Sequence, residues 1–223
     1  MLLAAVRAEL AAACRRLAAQ RLVIGTAGNL SARHGDLIAV TPTGGVLGEL
    51  TAEQMTVIDV EGAVLEGALA PTSEVALHTR IYRDTAAGAI AHAHALATTA
   101  VACVLDELPV THYMQLTLGG AVRTAPYATF GTEQLAENVV TALQGRVAAL
   151  MANHGSIAYG DSVAAACDRL ELLEWCAELH ARCHALGEPR LLSGDDLDAV
   201  TAAMARRRYG SVTPHQDPAD NPG

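Results

Sequence analysis

The sequence contains no lysine, and all fifteen of its basic residues are arginine. A Schiff-base lysine and a phosphate-loop lysine are thereby excluded, so any carbonyl chemistry needs another electron sink. Aromatic residues are scarce, at 3% of 223 positions with a single Phe and a single Trp. The five cysteines (Cys14, Cys103, Cys167, Cys176, Cys183) form no CxxC pair. That argues against a disulfide framework or a cysteine-rich zinc module and points to buried thiols in a reducing cytosol. No apolar run approaches the ~18 residues of a membrane span. Arg7 and Glu9 interrupt the apolar start too early for a signal peptide. A cytoplasmic protein is expected. Positive charge is also in deficit: 15 basic against 24 acidic residues give a net charge of −9. This disfavours nucleic acid or an anionic membrane as the partner.

What is present suits a folded α/β chain. Hydrophobic residues make up 51% of the sequence, alanine alone about a fifth, and no linker or repeat divides it. Leu3, Val6, Leu10, Ala13 and Leu17 recur at helical spacing. Asn29–Arg33 and Leu37–Thr41 read as a hairpin about His34-Gly35-Asp36, and Thr56–Val60 with Ala63–Glu66 as a second. Thr72 or Ser73 is expected to cap a helix running to about Arg83. A strand at Ala89–His94, a helix over Leu96–Leu105, a helix over Leu135–Leu143 after Thr132 and a strand at Val147–Met151 follow. A long helix over Val163–Leu186 has Trp175, Cys176, Leu179 and Cys183 as its packing stripe, with His180 and His184 on a solvated face. Ser193 and Asp196 resemble a capping box for a last helix ending near Tyr209-Gly210. Residues 211–223 are polar and proline-rich and are expected to form a frayed tail.

Chemistry concentrates in a few places. In Ala91-His92-Ala93-His94 the two-residue period of a strand puts both imidazoles on one face, about 7 Å apart at the backbone, a spacing that can converge on one metal ion. Alternating alanines leave room around them. The same pattern also suits two ordinary hydrogen-bonded histidines. His154, after a buried strand and before Gly155, is the candidate third ligand. Glu74 at a helix start either complements the helix dipole or serves beside a metal as ligand and general base. Three turns, Gly28-Asn29, Thr43-Gly44 and Thr72-Ser73, carry hydroxyls, an amide and open backbone N–H groups. These suit a phosphate and are also ordinary turn chemistry. Arg206-Arg207-Arg208 at a helix C-terminus needs no nucleic-acid role.

Together these segments resemble the class II aldolase/adducin family. The matching stretches are Gly25–Ser31, Thr41–Gly44, Pro71–Glu74, His92–His94, His112–Met114, Ala125–Thr132 and Asn153–Gly155, in the family's order and spread over residues 1–210. The resemblance implies one catalytic domain, an αβα sandwich with a largely antiparallel sheet, assembled as a homotetramer with its site between subunits. It implies Zn²⁺ held at the positions of His92, His94 and His154, with Glu74 completing the shell. It implies phosphate held by Gly28, Asn29, Thr43, Gly44, Thr72 and Ser73, and Tyr113 of an adjacent subunit as proton donor. Thr72 replaces the serine common there but keeps the hydroxyl. Phe130 and Tyr209 match the aldehyde side, whereas Arg206 stands where an aromatic is expected.

The implied reaction is reversible cleavage of a ketose 1-phosphate, such as L-fuculose 1-phosphate, into dihydroxyacetone phosphate and an aldehyde such as L-lactaldehyde. Dehydration of methylthioribulose 1-phosphate and decarboxylation of a sugar-acid phosphate are the alternatives within the family. Aspartate in place of Glu74 would have pointed to a ribulose-phosphate epimerase. A non-catalytic interaction module of the adducin type is the alternative of another class, and three retained histidines argue against it.

Overall fold

The computed structural model of the chain describes residues 1–207, which fall into a compact unit, Met1–Leu191, and a second unit beginning at Leu192. The first unit opens with helix α1 (Ala4–Ala19), whose buried stripe of Leu10, Cys14 and Leu17 follows the expected spacing. Strands β1 (Asn29–His34) and β2 (Leu37–Val40) form the expected hairpin, with Gly35 at φ +62° in its turn. The second hairpin pairs β3 (Thr56–Asp59) with β4 (Val64–Glu66). Then come α2 (Val75–Asp84), β5 (Ala89–Ala93), α3 (Leu96–Ala102), β6 (Glu107–Leu108) and β7 (Val122–Ala125). Helix α4 (Glu133–Ala142), strands β8 (Ala148–Met151) and β9 (Gly155–Gly160), and the long helix α5 (Val163–Leu186) complete the unit.

The nine strands form one sheet in the order β4-β3-β2-β1-β5-β9-β8-β7-β6. Only β7 and β8 run parallel; every other pair is antiparallel. Helices α1, α3 and α5 pack their apolar faces on one side of the sheet, where Leu10, Leu17, Leu30, Val101, Leu170 and Leu173 share a cluster. Helices α2 and α4 cover the other side with Leu77, Ile81, Leu135 and Val139 against Ile38, Ile58, Ile90 and Ile157. This is the expected αβα sandwich, with a largely antiparallel sheet.

Three local expectations are corrected by the packing. Ala91 and Ala93 do not make room for the histidines. A strand sends alternate residues to opposite faces, and these alanines lie with Leu170 and Leu173 of α5, letting that helix approach closely. On α5, the buried stripe runs Val163, Ala166, Cys167, Leu170, Leu173, Cys176, Ala177, His180. Helical phase therefore buries His180, its Nδ1 3.2 Å from the Thr111 hydroxyl, and leaves Trp175 exposed beside His112. Helix α2 starts after Glu74 without a side-chain cap; Thr72 accepts a hydrogen bond from the Glu74 N–H rather than from the first turn.

The second unit is described by helix α6 (Gly194–Arg207), which contains Arg206 in its last turn. The Ser193 hydroxyl accepts from the Asp196 N–H at 3.2 Å while Asp196 accepts from the Ser193 N–H at 3.0 Å, the reciprocal pair expected. Tyr209, the expected boundary after residue 210 and the tail at 211–223 lie outside the described residues. Among the described residues no helix is long and apolar enough to cross a membrane, and the five cysteines are free thiols.

Candidate functional site

The local chain geometry gathers segments that are remote in sequence. An isolated bridge between Pro42 and Pro71 lays two turns side by side. The Thr43 N–H donates to Ala70 O and the Thr72 N–H to Thr41 O, both at 3.0 Å. Strand β1 begins at Asn29, directly opposite His92 on β5. Just before it Gly28 adopts φ +92°, and a Cβ there would stand 2.8 Å from the His92 carbonyl oxygen. Gly28→Ala is therefore expected to destabilise the protein by about 1–3 kcal/mol, read as a lowered urea midpoint. An unchanged midpoint would mean that the loop does not need this close approach.

His154 ends the short turn between β8 and β9, where Asn153 takes φ +54° and the His154 N–H donates to Met151 O at 3.0 Å. Asparagine tolerates that left-handed conformation better than most residues. Gly155 follows because a Cβ would lie 2.4 Å from Ala93 O and 3.0 Å from the His94 ring. Strand β9 can thus come close enough to β5 to set His154 against His92 and His94.

The three rings form a tight triangle, with centroids 4.9, 4.9 and 4.8 Å apart. One nitrogen from each lies within 4.8 Å of the other two. His92 is fully buried and turns Nδ1 to the Ser156 carbonyl at 2.9 Å, which directs Nε2 to the cluster, 3.1 Å from His94 Nε2. Glu74 reaches in from the start of α2. Its Oε2 is 3.2 Å from His92 Nε2, and its Oε1 is 3.6 Å from His154 Nε2. The Asn29 amide donates to Glu74 Oε2 at 2.8 Å.

The charges follow from this geometry. Burial opposes ionisation of Glu74, but the His92 ring, the Asn29 amide and His154 outweigh it and hold the carboxyl well below the usual range. Burial likewise works against a charged His92, yet the Glu74 carboxylate raises its pKa. His94 and His154 are pushed down to about 4, first by burial and then by the charge of His92. Both are neutral near pH 7, with ring nitrogens available as donors to a cation.

This donor set fits a divalent metal ion. Three imidazole nitrogens converge, and Glu74 Oε1 is buried with no hydrogen-bond partner among the described residues, an acceptor 3.6 Å from His154 Nε2. Among the described residues this is the one histidine, cysteine or carboxylate group so arranged. His180 and His184 meet edge to face with centroids 4.5 Å apart, but among the described residues no third donor joins them.

The cluster floors a cleft of about 260 Å³. All six candidate phosphate positions, Gly28, Asn29, Thr43, Gly44, Thr72 and Ser73, line it, together with Glu74, His94, His154 and Phe130. One Asn29 N–H is committed to Glu74, which leaves only the other for a ligand. Thr26, Tyr127 and Asn153 also line the cleft. Each stands inside a segment that marks the family resemblance, and that placement is the only signal by which the sequence could have singled it out. Tyr113 does not line this cleft; it opens a 3-10 turn, its ring 4.5 Å from that of His112.

Comparison with known proteins agrees with the fold. Residues 8–181 match the family described as Class II Aldolase and Adducin N-terminal domain. A 5-methylthioribulose-1-phosphate/5-deoxyribulose-1-phosphate aldolase from Rhodospirillum rubrum is 38% identical over 198 residues, 88% of this chain and 89% of that protein. A 5-deoxy-D-ribulose 1-phosphate aldolase from Bacillus thuringiensis is 35% identical over 201 residues, 89% of this chain and 94% of that protein. A solved L-fuculose 1-phosphate aldolase superposes with a TM-score of 0.86 at 35% identity, over 90% of this chain and 96% of the other.

Proposed function

Because the chain belongs to the class II aldolase and adducin family, we propose that it is a divalent-metal-dependent lyase that reversibly cleaves the C3–C4 bond of a ketose 1-phosphate. The products are dihydroxyacetone phosphate and a short aldehyde. The observation that carries this reading is the convergence of His92, His94, His154 and Glu74 at the floor of a hydroxyl-lined cleft in a protein without lysine.

His92, His94 and His154 would hold the ion; three imidazoles and a carboxylate suit several divalent cations, and Zn²⁺ is the proposed occupant because the family resemblance implies it. When bound, the cation supplies Lewis-acid stabilisation of negative charge at the ketose carbonyl, the task a lysine imine would otherwise perform. The Thr43, Thr72 and Ser73 hydroxyls, the Gly44 backbone and the free Asn29 N–H receive the phosphate beside the start of α2, whose dipole favours an anion. These neutral donors hold the ketose remote from the reacting bond and so fix its register. In condensation the Glu74 carboxylate takes the proton from the hydroxymethyl carbon of dihydroxyacetone phosphate; in cleavage it returns it. Tyr113 is proposed to act from a neighbouring subunit of a homotetramer, exchanging the proton of the aldehyde-derived hydroxyl.

The relatives suggest a modest aldehyde. Cleaving 5-deoxyribulose 1-phosphate between C3 and C4 leaves acetaldehyde, and its methylthio analogue leaves (methylthio)acetaldehyde; L-fuculose 1-phosphate leaves lactaldehyde. Phe130 and Tyr127 form an exposed aromatic wall at the cleft, which favours the apolar tails of the first two. The test is a screen of these three ketose 1-phosphates with zinc-loaded protein, read as released dihydroxyacetone phosphate. Triose phosphate from at least one is expected, with the 5-deoxy and methylthio substrates cleaved fastest. Release of water or carbon dioxide without triose phosphate would replace the aldolase reading with a dehydratase or a decarboxylase. A cytoplasmic location is proposed with it, in keeping with the free thiols.

A further inference from the structure

Behind Glu74 and Asn29 lie three buried polar side chains, His78, Ser31 and Tyr82, that the chemistry above leaves unused. Glu74, His78 and Tyr82 stand at intervals of four and face strand β1, on which Asn29 and Ser31 share one face. All five are buried. Ser31 Oγ lies 2.8 Å from the Tyr82 hydroxyl and 2.6 Å from His78 Nδ1. The other ring nitrogen of His78 meets Asn29 Oδ1, and Asn29 Nδ2 is 2.8 Å from Glu74 Oε2.

The direction of every bond in this row is set from one end. An ionised carboxylate can only accept, so Asn29 must turn its NH₂ to Glu74. Its carbonyl oxygen then faces His78 and can only accept, which places the ring proton on Nε2. The bare Nδ1 must accept from the Ser31 hydroxyl, whose oxygen in turn accepts from Tyr82. Each donor therefore points toward the anion, an arrangement in which successive bonds polarise one another. Burial keeps His78 neutral by pushing its pKa down to about 4, although Glu74 acts to raise it and His92 to lower it further. A neutral ring is what the row requires, since an imidazolium has no lone pair for Ser31.

We propose that His78 is a positioning residue for Glu74 that acts through Asn29. Tyr82, Ser31 and His78 lock the Asn29 amide with its NH₂ toward the carboxylate, and so hold Glu74 against His92 and His154. Without that lock the amide can flip, its oxygen would oppose the carboxylate, and Glu74 would swing away from its neighbours. The inference rests on the reading of Glu74 as the proton carrier.

Two measurements test it. In the ¹⁵N spectrum of the metal-free protein, the His78 ring is expected to show a protonated Nε2 and an unprotonated Nδ1 at neutral pH, assigned by loss of the signals in His78→Gln. A ring protonated at Nδ1 overturns the proposal, and this result needs neither metal nor substrate. In the zinc-loaded enzyme, His78→Leu is expected to lower kcat about 10- to 100-fold with KM for the ketose 1-phosphate changed less than threefold. His78→Gln, which restores a donor to Asn29, is expected to recover most of that loss. Equal losses in both variants would reduce His78 to a packing residue and overturn the proposal. Wild-type activity in Glu74→Gln would instead defeat the proton-carrier reading while leaving the tautomer result standing, so the two failures are separable.

Discussion

His94→Ala is expected to abolish stoichiometric metal binding and turnover together while leaving the fold intact. The side chain sits at the open edge of the triangle, partly exposed, and among the described residues its Nε2 has no hydrogen-bond partner besides the His92 ring at 3.1 Å. Its removal therefore breaks no backbone pairing and leaves no buried donor unsatisfied. It does remove one of three convergent imidazoles, and two rings with one carboxylate hold a divalent ion poorly. Loss of an outer-shell partner alone typically costs 10- to 100-fold in affinity. Loss of a ligand should exceed that, so zinc content after dialysis should fall from one per chain to near zero. Thermal unfolding of the metal-free variant should match that of the metal-free parent. Full zinc occupancy in His94→Ala would show that the ion, if any, is held elsewhere, and the lyase reading would fail with it.

Why so much of this site could be read from the sequence is a matter of periodicity. His92 and His94 share a face because a strand alternates, and no tertiary information was needed for that. The hairpins were legible from Gly35 and Gly62, each at positive φ between alternating strands. The bounds of the long helix, Val163–Leu186, were legible, although its buried stripe was not. What escaped depended on non-local pairing. Strand β9, Gly-Ser-Ile-Ala-Tyr-Gly, has weak strand propensity and exists because β5 and β8 supply partners on both sides. Strand β6 has two residues and is defined only by its neighbour β7. The sequence pattern puts Trp175 in the packing stripe with Cys176, Leu179 and Cys183, but helical phase sets it outside the buried one.

The subtler miss concerns Asn29. Its turn pointed to phosphate, and it does line the cleft, yet one of its two N–H bonds is directed at Glu74. No one-dimensional pattern reports that, because it depends on β1 running beside the start of α2. Tyr113 is a different case. Among the described residues Tyr113 does not line the cleft, so its proposed role depends on assembly, and an equilibrium sedimentation measurement giving a monomer would remove it from the mechanism.

Glu74→Gln separates the proton carrier from the metal ligands, which His94→Ala cannot do. Glutamine has nearly the same shape, and its carbonyl oxygen can accept the Asn29 N–H that Glu74 Oε2 now accepts at 2.8 Å. In the metal-free protein its NH₂ can point to His154, whose neutral ring offers a lone pair there. The fold should therefore survive. Three imidazoles remain, so the zinc content should stay near one per chain. The phosphate donors on the two adjacent turns are untouched, and KM for the ketose 1-phosphate should change by less than a few-fold. What disappears is a group able to exchange a proton with carbon, since an amide is neither a useful base nor an acid near neutrality. A positioned general acid or base contributes about 10²- to 10⁴-fold, and kcat should drop by that much. The decisive comparison is isotopic. Exchange of the hydroxymethyl proton of dihydroxyacetone phosphate with deuterated water, measured without any aldehyde, should stop in Glu74→Gln. If exchange persists at the parent rate in the zinc-loaded variant, another residue handles the proton and Glu74 is no more than a ligand.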